Sequence, residues 1–138
     1  MRSNKVVYII ASVVGVFVLA LSLFLFTDVF ESDSVGSMKI ELVDLDGTVL
    51  DSKKVNYSDN ATLEELLKDN FNNVYVDRNG MLQSIGKLNS KETSFSLIYI
   101  AVLVDGQYSD YGVWDIQFDK YKTITFKLME YRYETNNN

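Results

Sequence analysis

Apolar residues recur along this chain in three rhythms, and each rhythm predicts a different element. Residues 6–26, VVYIIASVVGVFVLALSLFLF, form an apolar run of twenty-one positions without a charge. A helix of that length measures about 31 Å, close to a hydrocarbon core of about 30 Å, so a single transmembrane helix is expected there. Further on the rhythm shortens to two. Met38, Ile40 and Leu42 alternate with Lys39 and Glu41, the pattern of a half-buried strand, and residues 48–57 predict a second strand. Between them Asp46-Gly47 is a two-residue hairpin signal, since both residue types tolerate positive φ.

The helical rhythm follows. Leu63, Leu66, Leu67 and Phe71 fall at i, i+3, i+4 and i+8, one stripe suited to lying on a sheet. Thr62 and Glu65 are placed as a capping box at its start, and residues 70–73 end it. Residues 74–76 and 81–85 flank Arg78-Asn79-Gly80 and predict a second, shorter hairpin. The polar residues 86–93 are expected to loop over the surface. Residues 95–104, FSLIYIAVLV, are apolar on both alternate sets after Ser96, so they are expected to form the central strand, covered on both faces. The last strand is residues 123–131, with Ile124, Phe126 and Leu128 on one face.

Hairpin, helix, short hairpin, long strand, loop and final strand predict an α+β fold, a β-grasp-like mixed sheet with one packed helix, preceded by a single transmembrane helix. The expected organisation is a cytoplasmic N-terminus at 1–5, the anchor at 6–26, a linker at 27–37, an extracellular domain at 38–133 and a frayed tail at 134–138.

Charge adds a direction. Arg2 and Lys5 precede the apolar run and all nineteen acids follow it; thirteen Lys+Arg less those two leaves eleven, a net charge of −8 beyond the run. Cations flanking a first span stay cytoplasmic, so the expected localisation is the cell membrane, single-pass, with the N-terminus inside and the domain outside. A cleaved signal peptide is the competing reading, but Ala20-Leu21-Ser22 is the only near match to its cleavage site. An acidic domain argues against a nucleic-acid partner. Within the run Ala11, Gly15, Val18 and Ser22 align on one helix side, and Ala11, Gly15 and Ser22 are candidates for packing against a membrane-protein partner.

The chain has no cysteine and no histidine. Disulfides, lipidated cysteine, thiol catalysis and Cys-based zinc sites are excluded, and the commonest general base is missing. Val43-Asp44-Leu45-Asp46-Gly47-Thr48 resembles the first motif of the haloacid dehalogenase phosphatases, in which the first Asp is a nucleophile and magnesium binds both. The helix that should follow and the later acidic motif are absent, so the segment reads as a hairpin turn and no enzyme activity, metal or cofactor is expected. Asn60-Ala61-Thr62 spells a glycosylation sequon, but Thr62 already has the capping role.

Residues 104–115 gather Tyr108, Tyr111 and the only tryptophan, Trp114, with two glycines. Rings with polar tips suit a flat ligand or a partner surface, and the other reading is that Trp114 and Tyr111 complete the core. The stretch 97–131, with Val104-Asp105-Gly106, Tyr108, Tyr111-Gly112-Val113 and a final alternating strand, resembles the transcobalamin-like C-terminal domain, as do the helix at 62–70 and Arg78-Asn79-Gly80-Met81-Leu82-Gln83-Ser84-Ile85. The resemblance covers roughly residues 39–131. Tyr99 is retained, whereas Asp105 stands where the family has Asn. The resemblance implies a domain that covers cobalamin or another small nutrient, with Tyr108, Tyr111, Trp114 and Tyr99 as the ligand face. The alternative expectation is a non-catalytic accessory subunit of a membrane complex.

Overall fold

A computed structural model describes residues 34–135 of the chain. Strand β1 (Gly36–Val43) turns back into β2 (Val49–Tyr57), antiparallel from Gly36↔Tyr57 to Val43↔Val49. The connecting loop is one residue longer than Asp46-Gly47 predicts. Asp44 N–H donates to Thr48 O (2.8 Å), Gly47 N–H donates to Asp44 O (3.0 Å), and of the Asp-Gly pair only Gly47 takes positive φ, at +89°. A turn closed by a left-handed glycine matches the twist of the flanking strands.

Helix α1 (Leu63–Asn70) begins as its capping residues dictate: Thr62 Oγ1 accepts the Glu65 amide and Glu65 Oε2 accepts the Thr62 amide, both at 3.3 Å. Leu63, Leu66, Leu67 and Phe71 are buried. At the other end Lys53 of β2 donates from Nζ to Asn70 O at 2.5 Å and lies 4.9 Å from the Phe71 ring centre. A cation at the carbonyl end is favoured by the helix dipole, so one side chain ties helix to sheet.

Strands β3 (Tyr75–Val76), β4 (Leu82–Ile85) and β5 (Leu88–Asn89) make a small separate antiparallel sheet. The expectation of a surface loop at 86–93 is corrected here: the stretch holds β5 and β6 (Lys91–Glu92), and Leu88 is 0% exposed. One apolar residue among polar neighbours carries no periodicity, yet its pairing with Ile85 turns it into the core.

Strands β7 (Ser96–Val104), β8 (Gln107–Ser109) and β9 (Thr123–Arg132) complete the main sheet, ordered β2-β1-β9-β7-β6 with β8 also on β7. β9 runs parallel to β1 and antiparallel to β7. The central strand is therefore β9, and the expectation that 95–104 is central and covered on both faces is corrected. Ile100 and Val102 are buried, while Phe95 is 72% and Tyr99 39% exposed. Met38, Ile40, Leu42, Ile100, Val102, Ile124, Phe126 and Leu128 share one core cluster with α1 and with Leu82, Ile85 and Leu88 of the small sheet. The opposite face of the main sheet carries Glu41, Leu97, Tyr99, Lys127, Met129 and Tyr131, and none of these is buried.

The fold expectation is corrected in a further respect. The described chain is an α+β domain with a mixed sheet and one α-helix, and none of its described helices is long and apolar enough to cross a membrane. A transmembrane helix is accordingly no part of the described structure. Residues 6–26, with Ala11, Gly15 and Ser22, lie outside the described residues.

The position of β9 fixes where truncation hurts most. Phe126→Ala is expected to destabilise the domain by about 3–5 kcal/mol. Tyr99→Ala on β7 is expected to cost less than about 1 kcal/mol. Urea midpoints of the two variants check this, and equal losses would contradict a β9 centre.

Candidate functional site

The stretch rich in aromatics is divided by the fold between two sides of the sheet. Asp105 and Gly106 take positive φ, +48° and +82°, and Val104 pairs with Gln107, so β7 and β8 are joined by a two-residue hairpin. Asp105 Oδ1 accepts the Lys122 and Thr123 amides at 3.0 and 2.8 Å, fixing this turn against the start of β9. Tyr108 is opposite Leu103 on β8, and its hydroxyl donates to Met129 Sδ at 3.7 Å; Met129 in turn pairs with Tyr99. Tyr99 and Tyr108 therefore share the face of the main sheet turned away from α1.

Tyr111 and Trp114 do not join them. After β8 the chain crosses to the small sheet, where the turn after β3 is already set. Asp77 N–H donates to Met81 O (2.9 Å) and Gly80 N–H to Asp77 O (3.0 Å), the same construction as the first hairpin. Asp77 Oδ1 accepts the Asn79 and Met81 amides at 2.8 and 3.0 Å, and Oδ2 accepts the Gln83 side-chain amide at 3.0 Å. These bonds, that of Met81 foremost, hold the Asp77 carboxyl below its ordinary value.

The following loop docks on that turn. Val113 N–H donates to Gly80 O at 2.8 Å, and a Cβ at Gly112 would stand 2.5 Å from the same oxygen. A Cβ on Gly80 would meet the Trp114 ring at 2.9 Å, so the indole lies directly on bare backbone. At its other end Trp114 Nε1–H donates to Glu64 Oε2 at 2.8 Å, in the first turn of α1. Glu64 Oε1 also takes Lys68 Nζ at 2.9 Å. The Glu64 carboxyl is held below its ordinary value by Lys68 first and by the Trp114 indole second.

Trp114 is fixed at two points and still 55% exposed. Val113 and Ile116, at 2% and 7% exposure, supply the apolar anchors of this loop instead. Sequence reasoning missed these two, although their i, i+3 spacing around Trp114 was readable. It also missed Glu64, and nothing local could have found a partner fifty positions away in sequence.

Two open grooves share Ile116. One, about 410 Å³, is lined by Ala61, Thr62, Glu64, Trp114 and Phe118. The other, about 500 Å³, is lined by Ser109, Tyr111, Asp115, Lys120 and Tyr121. The arrangement offers ring faces, hydroxyls and one ammonium for binding. Among the described residues no group of three or more carboxylates is placed to hold a metal ion. In the DLDGT turn Asp44 Oδ1 accepts the Leu45 amide and Asp46 Oδ1 the Thr48 amide, so both side chains close their own loop.

Fold and site together define a small α+β domain that displays a pinned aromatic loop beside the N-terminus of its helix. The sequence pattern of the family described as Domain of unknown function (DUF4430) matches residues 60–130, and the chain belongs to that family. The match runs from the start of α1 to β9 and so includes Glu64, Gly80 and the loop of Trp114. No curated protein and no solved structure matches the chain.

Because Trp114 is the only tryptophan, its emission reports on Glu64. A lowered folded-state pKa means the interaction is complete above the ordinary Glu value of 4.5 and is lost as pH falls through the lowered one. Acid titration is expected to shift Trp114 fluorescence with a midpoint below pH 4.5, and Glu64→Gln is expected to abolish that step. A midpoint at or above the ordinary value would refute the contact.

Proposed function

We propose that the domain is a non-catalytic, transcobalamin-like binding module working outside the cytoplasm, and that the Trp114 loop contacts a flat, partly apolar nutrient such as a corrinoid. The observation that carries the reading is an exposed indole held at both ends, by the Gly80 backbone and by Glu64. An exposed aromatic side chain whose rotamer is already fixed contributes contact area without a further ordering cost on binding.

The flanking grooves support the same reading. Each is open to solvent and of a few hundred cubic ångströms, which suits covering one face of a larger planar molecule rather than enclosing it. Tyr111 and Lys120 border the second groove, offering a ring and a cation at the rim. Tyr99 and Tyr108 fall outside this site, since they occupy the other side of the sheet. The placement outside the cytoplasm is supported by the charge order of the chain, with Arg2 and Lys5 ahead of the uncharged run and every acid after it.

Equilibrium titration of the full chain with cobalamin, cobinamide and a metal-free porphyrin, followed by Trp114 emission, tests the proposal. Saturable quenching by a member of the panel is expected, with loss of binding in Trp114→Ala and retention in Tyr99→Ala. Absence of saturable binding across the panel, or binding indifferent to Trp114, would contradict it.

A further inference from the structure

The face of the main sheet opposite α1 carries a charge unlike that of the rest of the chain. Side chains on it follow from register. Lys39 stands opposite Lys54 and beside Thr123, Glu41 opposite Ser52 and beside Thr125, and Val43 beside Lys127. Lys127 is in turn opposite Ala101, with Met129 opposite Tyr99 and Tyr131 opposite Leu97 in the next rows. Lys39, Lys54 and Lys122, with Ser37 and Ser52, line an open depression of about 350 Å³ that no carboxylate enters.

Few acids answer these cations. Glu41 is bonded to Lys39 at 2.7 Å, and the nearby Asp105 carboxylate is taken by the Lys122 and Thr123 backbone amides. Glu92 accepts the Tyr133 hydroxyl at the far end of the face. Among the described residues Lys54, Lys122 and Lys127 have no ion-pair partner, in a chain whose residues beyond position 26 carry a net −8. The acids of α1 and of the Trp114 loop lie on the far side of the sheet. A packed layer is about 10 Å thick, so those acids stand too far away to pair with these lysines.

Beside the lysines stand rings. Tyr108, Tyr131 and Tyr99 are 62%, 58% and 39% exposed, and no described element covers them. The Lys39, Lys54, Lys122 cluster and Lys127 are separated by four positions of β9, roughly 13 Å at about 3.3 Å per residue. Cations so spaced, followed by exposed rings along one flat face, complement a chain with well-separated negative charges and ring faces between them. Single-stranded nucleic acid carries a phosphate on every nucleotide, with no uncharged ring between successive charges, far more charge than these lysines neutralise. An acidic peptide leaves the tyrosines without flat partners.

We propose that this sheet face binds an acidic glycan, with its carboxylates on Lys54, Lys122 and Lys127 and its sugar rings on Tyr99, Tyr108 and Tyr131. The face is independent of the Trp114 site, so each proposal can fail alone.

The test titrates the full chain with four polymers: hyaluronate, which has a carboxylate on every second ring; dextran, with rings and no charge; polyglutamate, with charge and no sugar; and oligothymidylate. Hyaluronate is expected to bind most tightly, with affinity falling as salt rises. The triple variant Lys54→Gln/Lys122→Gln/Lys127→Gln should lose on the order of tenfold, the summed effect of three exposed charge pairs. Tyr99→Ala/Tyr131→Ala should also weaken hyaluronate while leaving polyglutamate unchanged, and Trp114→Ala should change neither. These substitutions are at the surface, and matching urea midpoints establish that the variants fold. No binding of hyaluronate, equal or tighter binding of polyglutamate or oligothymidylate, or indifference to the lysines would overturn the proposal.

Discussion

Strand β9 holds this domain together because it is paired on both sides, parallel to β1 and antiparallel to β7. A strand with neighbours on each side has its backbone amides and carbonyls satisfied within the sheet, so it can be buried without the cost of unpaired polar groups. Ile124 and Phe126 are accordingly 0% exposed. In the hydrogen-bonded order of the sheet, the first hairpin and the β7 to β8 ribbon, far apart in sequence, are joined by it. Asp105 secures the start of the same strand, so the turn between β7 and β8 and the entry to β9 form one unit.

That arrangement produces two faces with different characters. On one, α1 and the small sheet cover the core, and the chain between β8 and β9 must cross over them to return. Its route is fixed by Val113 on the Gly80 carbonyl and by Val113 and Ile116 in the core, and this leaves Trp114 turned outward with its indole N–H on Glu64. On the other face nothing described covers the sheet, and tyrosines and unpaired lysines stand in rows set by strand register. The same β9 residues alternate between the two faces. A single strand thus carries Phe126 into the core and Lys127 to the surface.

The parts of the fold legible in the sequence are those determined locally. The capping box at Thr62 and Glu65, the helical stripe through Leu67 and the alternation of Ile124, Phe126 and Leu128 each rest on spacing alone. The identity of the central strand did not, because the apolar residues of 95–104 show what could be buried and not which element covers it. Leu97, Tyr99 and Leu103 remain on an open face. Turn chemistry was half legible: Asp-Gly at 105–106 is a two-residue turn by the same rule that was applied to Asp46-Gly47, whereas the earlier loop closes around one residue more. At the candidate site, the aromatic enrichment singled out residues 104–115 as a group, but the separation of Tyr99 and Tyr108 from Trp114 follows from strand register, and Glu64 became a partner of Trp114 only through the packing of α1.

The Val113 amide on the Gly80 carbonyl fixes the Trp114 loop in the free protein, and native-state hydrogen exchange of the full chain reads that bond. The Val113 amide is expected to be strongly protected and to exchange with the same opening free energy as Gly80, below only the slowest amides of β9. A Val113 amide exchanging at the rate of an unstructured peptide, while β9 stays protected, would show that the loop is not held on the Gly80 turn.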